Sequence, residues 1–260
     1  MKAIELQSPG GLENLRMVER PMPEPGRQEM IVKVKATALN YRDAEIVRGG
    51  YHTKFALPQA ATLPCAGVTA WHALFTEGSV KPGDTVLCLG TGGVSLFAVQ
   101  FAAAAGARVI VTSSSDEKLA RAKQLGAQDG VNYRSVPDWA SAVLGLTDGR
   151  GADHIIEVGG PQSFAQSLRA AARGAQINVI GYLGGSDGAI NPLDIFRRQV
   201  RARGIPVGSR ESFEAMNRAI VVNRLRPVID RVVPWSRAAE AFRYLEHGSP
   251  FGKVVLDHTQ

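Results

Sequence analysis

From Asp84 onward the apolar positions of this chain fall into short, nearly unbroken runs, separated by longer stretches in which they recur every three or four residues. The runs at 84–89, 107–113, 130–133, 153–158, 175–181 and 203–207 predict buried strands, and the stretches at 94–105, 115–125, 137–144, 161–173 and 211–223 predict helices. Repeated βα units of this length imply a parallel, doubly wound sheet with helices on both faces. Outside this block the pattern changes. Residues 2–6 and 30–37 read as short alternating strands on either side of a proline-rich loop, PMPEPG at 21–26, while a helix at 236–247 and a strand at 251–256 close the chain. The two ends are expected to meet in one small β-rich lobe, 1–58 with 235–260, and residues 59–234 to form the α/β domain, with 58–76 as the crossing between them.

Composition narrows the class. With 260 residues and 45% hydrophobic content the chain can bury a sizeable core in one large or two modest domains. The N-terminal MKAIELQSPGGLENLRM turns polar within a few residues, and no apolar run reaches the roughly 18–20 residues a bilayer requires. A soluble protein of the cytoplasm, with no membrane partner, is therefore expected. Cys65 and Cys88 are the only cysteines and both lie in apolar surroundings, which argues against a disulfide framework. The five histidines are scattered singly, so the chain lacks the short ligand spacing of a structural zinc site. The net charge is +6, and Arg197, Arg198, Arg201, Arg203 and Arg210 crowd together. Such a cluster can meet a cofactor phosphate or a nucleic acid, but a solvated helical face is the commoner reason for it.

The segment DTVLCLGTGGVSLFAVQFAAAAGARVIVTSSSDEK, residues 84–118, carries the most chemistry. An apolar strand runs into Gly90-Thr91-Gly92-Gly93 and then into an alanine-rich helix beginning at Val94. Glycines let the backbone turn sharply and approach a ligand closely, and the free N–H groups and positive dipole end of the helix stabilise a pyrophosphate. Gly90, Gly92, Gly93 and Val94 are thus candidates for holding a dinucleotide, against the plainer reading of a tight βα connection. The usual third glycine is replaced by Ser95, which is still small enough for close packing. After the second strand come Ser113, Ser114 and Lys118, where a carboxylate would bind the ribose hydroxyls of NAD. Ser114 and Glu117 fit the S-x-x-E capping box, which assigns Asp116 and Glu117 to the helix N-terminus and leaves hydroxyls and a lysine for the 2′-phosphate of NADPH. The competing reading turns Asp116 back toward the ribose and selects NADH. Val158 and Gly159, with Tyr182, Leu183 and Gly184, follow the fourth and fifth strands at the carboxyl edge where open α/β sheets bind ligands, and are candidates for the nicotinamide side.

Several segments together resemble the medium-chain dehydrogenase/reductase superfamily, on its zinc-independent quinone oxidoreductase side. They are LNYRD at 39–43, AATLPCAGVTAWHAL at 60–74, VKPGDTVL at 80–87, GTGGVS at 90–95, LGA at 125–127 with VNYR after it, GADHIIEVGG at 151–160 and GKVVL at 252–256. The resemblance implies a Rossmann domain joined to a GroES-like β-rich lobe, with substrate in the cleft between them. It adds Asn40, Tyr41 and Thr69 as candidate catalytic residues, Tyr41 serving equally well as barrel packing. It also adds Tyr133 at the adenosine phosphate pocket, or as an ordinary strand aromatic. GGYHTKFALP at 49–58 runs straight into QAATLPCAG, where the family pattern places further strands and a GHE-like segment carrying a zinc ligand. Asn40 stands where zinc-dependent relatives carry their first zinc cysteine. Both points imply a zinc-free protein with a shortened lobe, in which the remaining strands and the C-terminal one form a smaller sheet or stay partly unordered.

The expected function is NADPH-dependent hydride transfer to a quinone, enone or related carbonyl substrate, weakened by the missing strands. A nucleotide-binding module with little catalysis is the alternative, and nucleic-acid binding through the arginines a weaker third reading. The resemblance further implies a homodimer through the last sheet strand, about 203–207. Pro206, which lacks the N–H that edge pairing uses, and the charges of Arg201 and Arg203 make that dimer weak.

Overall fold

The computed structural model describes residues 1–7, 11–26, 30–40, 43, 65–247 and 250–258. The chain divides into two compact units, Met1–Pro64 with Ile229–Gln260, and Cys65–Val228.

The first unit contains an antiparallel hairpin of β1 (Lys2–Leu6) and β2 (Leu15–Glu19). It also contains a three-stranded sheet in the order β10 (Ile229–Pro234), β11 (Lys253–Asp257), β3 (Ala36–Leu39). Strands β10 and β11 are parallel, joined by helix α8 (Ala238–His247), and β3 runs antiparallel to β11. Leu39, Val233, Phe242, Val254 and Leu256 form the core of this unit, with Ile4, Leu6 and Leu15 of the hairpin packed on it. Among the described residues, Lys2–Leu6 therefore pairs only with β2, whereas the C-terminal strand and the strand ending at Leu39 do share a small sheet. Two of its parts depart from the sequence reading. Residues 30–35 lie outside any strand, and pairing begins only at Ala36, opposite Asp257. Residues 229–234, expected in the α/β domain, form β10, and its ladder to β11 places them in this unit.

The second unit opens with α1 (Cys65–Trp71) and one π-helical turn, His72–Thr76. Then β4 (Thr85–Leu89), α2 (Gly93–Ala104), β5 (Arg108–Ser113), α3 (Asp116–Gln124), β6 (Asp129–Asn132) and α4 (Trp139–Leu146) alternate. They are followed by β7 (Ala152–Glu157), α5 (Pro161–Ala170), β8 (Ala171–Val179), α6 (Pro192–Arg198), β9 (Arg201–Gly204) and α7 (Arg210–Asn223). The six strands are parallel and ordered β6-β5-β4-β7-β8-β9. This is the expected Rossmann sheet, and its order reverses between β4 and β7, the place where such sheets open a crevice at their carboxyl ends.

The strand periodicity explains the layers. Leu87, Ile110, Ile155 and Ile177 are buried on one face with Trp139, Val143, Phe164 and Leu168 of α4 and α5. The alternate positions Val86, Cys88, Val109, Val111 and Ile156 are also fully buried. Each such aliphatic side chain contributes roughly 1.5–3 kcal/mol of hydrophobic stabilisation, and burial on both faces is why the strands read as unbroken apolar runs. Strand β8 starts four residues earlier than its apolar run because a bulge intervenes. Ala152 faces Ala171 but His154 faces Gln176, and Gly174 takes the extra turn at φ 79°.

Candidate active site

The turn after β4 has the shape a pyrophosphate needs. Gly90 sits at φ 72°, a left-handed conformation that glycine adopts without strain, and its amide donates to the Thr112 hydroxyl at 3.3 Å. Gly92 is the N-cap of α2, and no side chain caps the helix there. A Cβ built on Gly90 or Gly92 would meet no atom within 4 Å, so the space over the helix N-terminus is open. Amides with unspent hydrogen-bonding capacity at the positive end of a helix are a ready anion site. Ser95, in place of a third glycine, donates its hydroxyl to the Leu89 carbonyl at 2.6 Å and so ties the start of the helix to the end of the strand. The residues present thus fit the phosphates of a dinucleotide.

At the tip of β5 the structure revises two expectations. The N-cap of α3 is Ser115, not Ser114: its side chain accepts from the Lys118 amide. Ser113 is buried, and its hydroxyl oxygen accepts from the Ser115 amide at 3.3 Å, so this side chain shapes the turn rather than facing a ligand. Ser114 is released from capping and half-exposed. Asp116 accepts at 2.9 Å from the side chain of Asn132, the last residue of β6, which pairs with Ser113. Tyr133 lies beside this tip, its amide donating to the Ser113 carbonyl at 3.0 Å and its side chain 42% exposed.

On the other side of the switch point, the loops after β7 and β8 are joined to each other. The amides of Leu183 and Gly184 donate to the carbonyls of Val158 and Gly159 at 3.0 and 2.8 Å. Gly160, at φ 86°, has room only for hydrogen, since a Cβ would come within 2.8 Å of the Tyr182 Cα. The nicotinamide-side candidates Val158, Gly159, Tyr182, Leu183 and Gly184 therefore form one wall. Glu157, which the sequence reading passed over as part of an apolar run, anchors it. Its carboxylate is completely buried and accepts from the amides of Gly159 and Gly160 and the hydroxyls of Ser163 and Ser167.

Thr69, in the second unit, is buried and donates to the Cys65 carbonyl at 2.7 Å, one turn back on α1, so it acts as a helix-internal hydroxyl. Asn40, in the first unit, is fully engaged locally. Its amide nitrogen faces the Ala38 carbonyl and the Asp43 carboxylate, and its oxygen accepts from Lys253 at 2.6 Å. Tyr41 lies outside the described residues. Four of the five clustered arginines are engaged: Arg197 with Asp194, Arg203 with Glu77, Arg210 with Glu214, and Arg198 donating to the Ala171 carbonyl.

One grouping the sequence did not suggest is Ser212, His72 and Glu77. The Ser212 hydroxyl lies 3.0 Å from His72 Nδ1, and His72 Nε2 lies 3.6 Å from Glu77. This resembles a nucleophile–base pair, but Ser212 is 4% exposed and its hydroxyl also meets Thr76 and Ser209. It ties the π turn to α7 and offers nothing to a substrate. Among the described residues no group of three His, Cys, Asp or Glu side chains is placed to hold a metal ion, and no helix is long and apolar enough to cross a membrane.

Known proteins share this architecture. Residues 93–221 match the family described as zinc-binding dehydrogenase. A zinc-type alcohol dehydrogenase-like protein of Schizosaccharomyces pombe is 48% identical over 205 residues, covering 76% of this chain and 59% of that protein. The chain thus spans about three-fifths of that relative's length. The quinone oxidoreductase of Pongo abelii is 31% identical over 227 residues, covering 82% of this chain and 68% of that one. Among solved structures, an NAD-dependent alcohol dehydrogenase aligns with a TM-score of 0.91 at 30% identity, and a mycobacterial protein complexed with NADPH with 0.85 at 25%, each over 99% of both chains. This chain belongs to the medium-chain dehydrogenase/reductase superfamily, among its quinone oxidoreductase-like members.

Proposed function

We propose that the protein is a zinc-independent oxidoreductase of the cytoplasm that binds NADPH in preference to NADH and passes hydride to a quinone, enone or related carbonyl-conjugated substrate. The observation that carries this reading is the open, uncapped turn at Gly90–Val94, set at the same sheet edge as the wall of Val158–Gly160 and Tyr182–Gly184. When bound, the cofactor supplies the hydride; the chain supplies position and electrostatics. The amides of Gly92, Gly93 and Val94 would hold the pyrophosphate, Ser114 and Lys118 the 2′-phosphate, and the joined loops the nicotinamide. Relatives' names include both NAD-dependent and NADPH-bound proteins, and the engagement of Asp116 by Asn132 is what favours NADPH here. Independence from zinc rests on Asn40, whose amide has no thiolate chemistry to offer and is already paired. Turnover is weak, because strands that the family pattern places after residue 58 would have oriented substrate and excluded water. Any homodimer would form through the edge strand β9 and be weak.

A second reading, a dinucleotide-binding module with little turnover, is favoured by the small sheet of the first unit. Oxidation of NADPH, followed by its near-ultraviolet absorbance with a simple benzoquinone as acceptor, separates the two. Quinone-dependent oxidation that Gly92→Val abolishes supports the enzyme, and tight cofactor binding without turnover supports the module.

A further inference from the structure

We infer that Glu157 is a positioning residue for the nicotinamide half of the cofactor, acting through the backbone of two loops. The inference rests on the dinucleotide reading above and deepens it. The Glu157 carboxylate is fully buried at the carboxyl end of β7. One oxygen accepts from the amides of Gly159 and Gly160 at 2.7 and 3.1 Å and from the Ser163 hydroxyl at 2.6 Å; the other accepts from Ser167. Drawing both amides inward curls the chain into the left-handed turn at Gly160. It also leaves the carbonyls of Val158 and Gly159 facing outward, where they accept from Leu183 and Gly184. The main-chain carbonyl of Glu157 accepts from Ile180 at 2.8 Å, so the same residue holds both loops at their roots. A buried carboxylate is costly unless its lone pairs are filled, and here hydroxyls and amides from the loop and α5 fill them. Removing the carboxylate would leave these donors buried without an acceptor, which is itself costly. What the carboxylate adds is the shape of the turn, and so the place of whatever lies against Val158–Gly160 and Tyr182–Gly184.

Length and charge at this position can be separated. Glu157→Asp keeps the charge but retracts the acceptor from the Gly159 and Gly160 amides, whereas Glu157→Gln keeps the reach and one oxygen acceptor, and Ser167 can accept from the new NH₂. Calorimetry on the full chain would compare NADPH with 2′-phospho-ADP-ribose, which is NADPH without its nicotinamide. Losing about one hydrogen bond's worth of positioning, the Asp variant should bind NADPH about tenfold more weakly and the fragment within about twofold of the parent, with the Gln variant close to the parent for both. Amide exchange of the unliganded protein gives an independent reading: Leu183 and Gly184 should lose protection in the Asp variant while Val109 to Val111 of β5 keep theirs. Equal weakening of NADPH and fragment, unchanged exchange at Leu183 and Gly184, or a Gln variant as impaired as the Asp variant would overturn the inference and leave the dinucleotide reading standing. A parent that binds neither ligand would overturn both.

Discussion

Gly92→Val separates the ligand role of the glycine turn from its folding role. Gly92 has φ −79° and ψ −178°, an extended conformation open to any residue, and a Cβ there meets nothing within 4 Å. Nor does a side-chain cap exist to be lost. The cost to stability should therefore stay below about 1 kcal/mol, a shift of a few degrees in Tm. Binding is another matter, because the branched side chain occupies the space over the helix N-terminus that the pyrophosphate needs. If two charge-assisted amide contacts are lost, at roughly 1.5–3 kcal/mol each, affinity falls by about two to four orders of magnitude. Gly90→Val is the instructive contrast. At φ 72° it forces strain on the backbone as well, so it should lower Tm visibly and cannot isolate the ligand effect. The assay is calorimetric titration of NADPH into parent and Gly92→Val, with thermal melts of both. A variant that melts like the parent and binds within about tenfold of it would show that the turn is a plain βα connection and that the pyrophosphate does not lie there.

Three further outcomes follow from the geometry. Ser114→Asp puts a carboxylate at the tip of β5, where it repels a 2′-phosphate and accepts from ribose hydroxyls, so the ratio of NADPH to NADH affinity should fall at least about tenfold; an unchanged ratio of dissociation constants would misplace the phosphate pocket. His154 is buried beside Asp84, and burial holds its pKa below the ordinary value of 6.5 despite that neighbour. The unfolded chain then binds the extra proton first, so stability should decline as pH falls below about 6.5; melts at pH 7.5 and 5.5 should show a smaller decline in His154→Gln, and an equal one would contradict the assignment. Strand β9 is an edge carrying exposed Arg201 and Arg203, so a dimer formed there should dissociate at nanomolar concentration and associate more readily as salt screens the charges; light scattering that finds a salt-insensitive dimer at that dilution would refute this.

What the sequence made legible, and what it hid, follows from burial. Strands β4, β5 and β7 are covered on both faces, so TVLCL, RVIVTS and ADHIIE stand out as apolar runs. Strands β2 and β10 carry exposed charges between their apolar residues and were missed, and β9, read at 203–207, pairs at Arg201–Gly204 with Pro206 beyond it. Helix α6 was missed because it is a seven-residue helix whose apolar Leu193 and Phe196 are exposed. The glycine turn was legible because Gly90 takes a left-handed backbone that glycine adopts without strain and Gly92 leaves open the space over the helix N-terminus. The cap of α3 was not, since three serines in a row look alike until the backbone at Ser115 selects one. Glu157 left a fainter mark: an acid ending an apolar strand, followed by Ser163 and Ser167, four residues apart on one face of α5. Thr69 was drawn from resemblance alone, and its burial is a property of packing that no motif carries.

The central claim is that a nicotinamide dinucleotide lies across the switch point between β4 and β7, and a crystal structure of the protein soaked with NADPH tests it most directly. The account predicts pyrophosphate density over the amides of Gly92 to Val94, the 2′-phosphate beside Ser114 and Lys118, and the nicotinamide against Val158–Gly160 and Tyr182–Gly184. Density for the cofactor anywhere else, or an empty turn at millimolar NADPH, would contradict it.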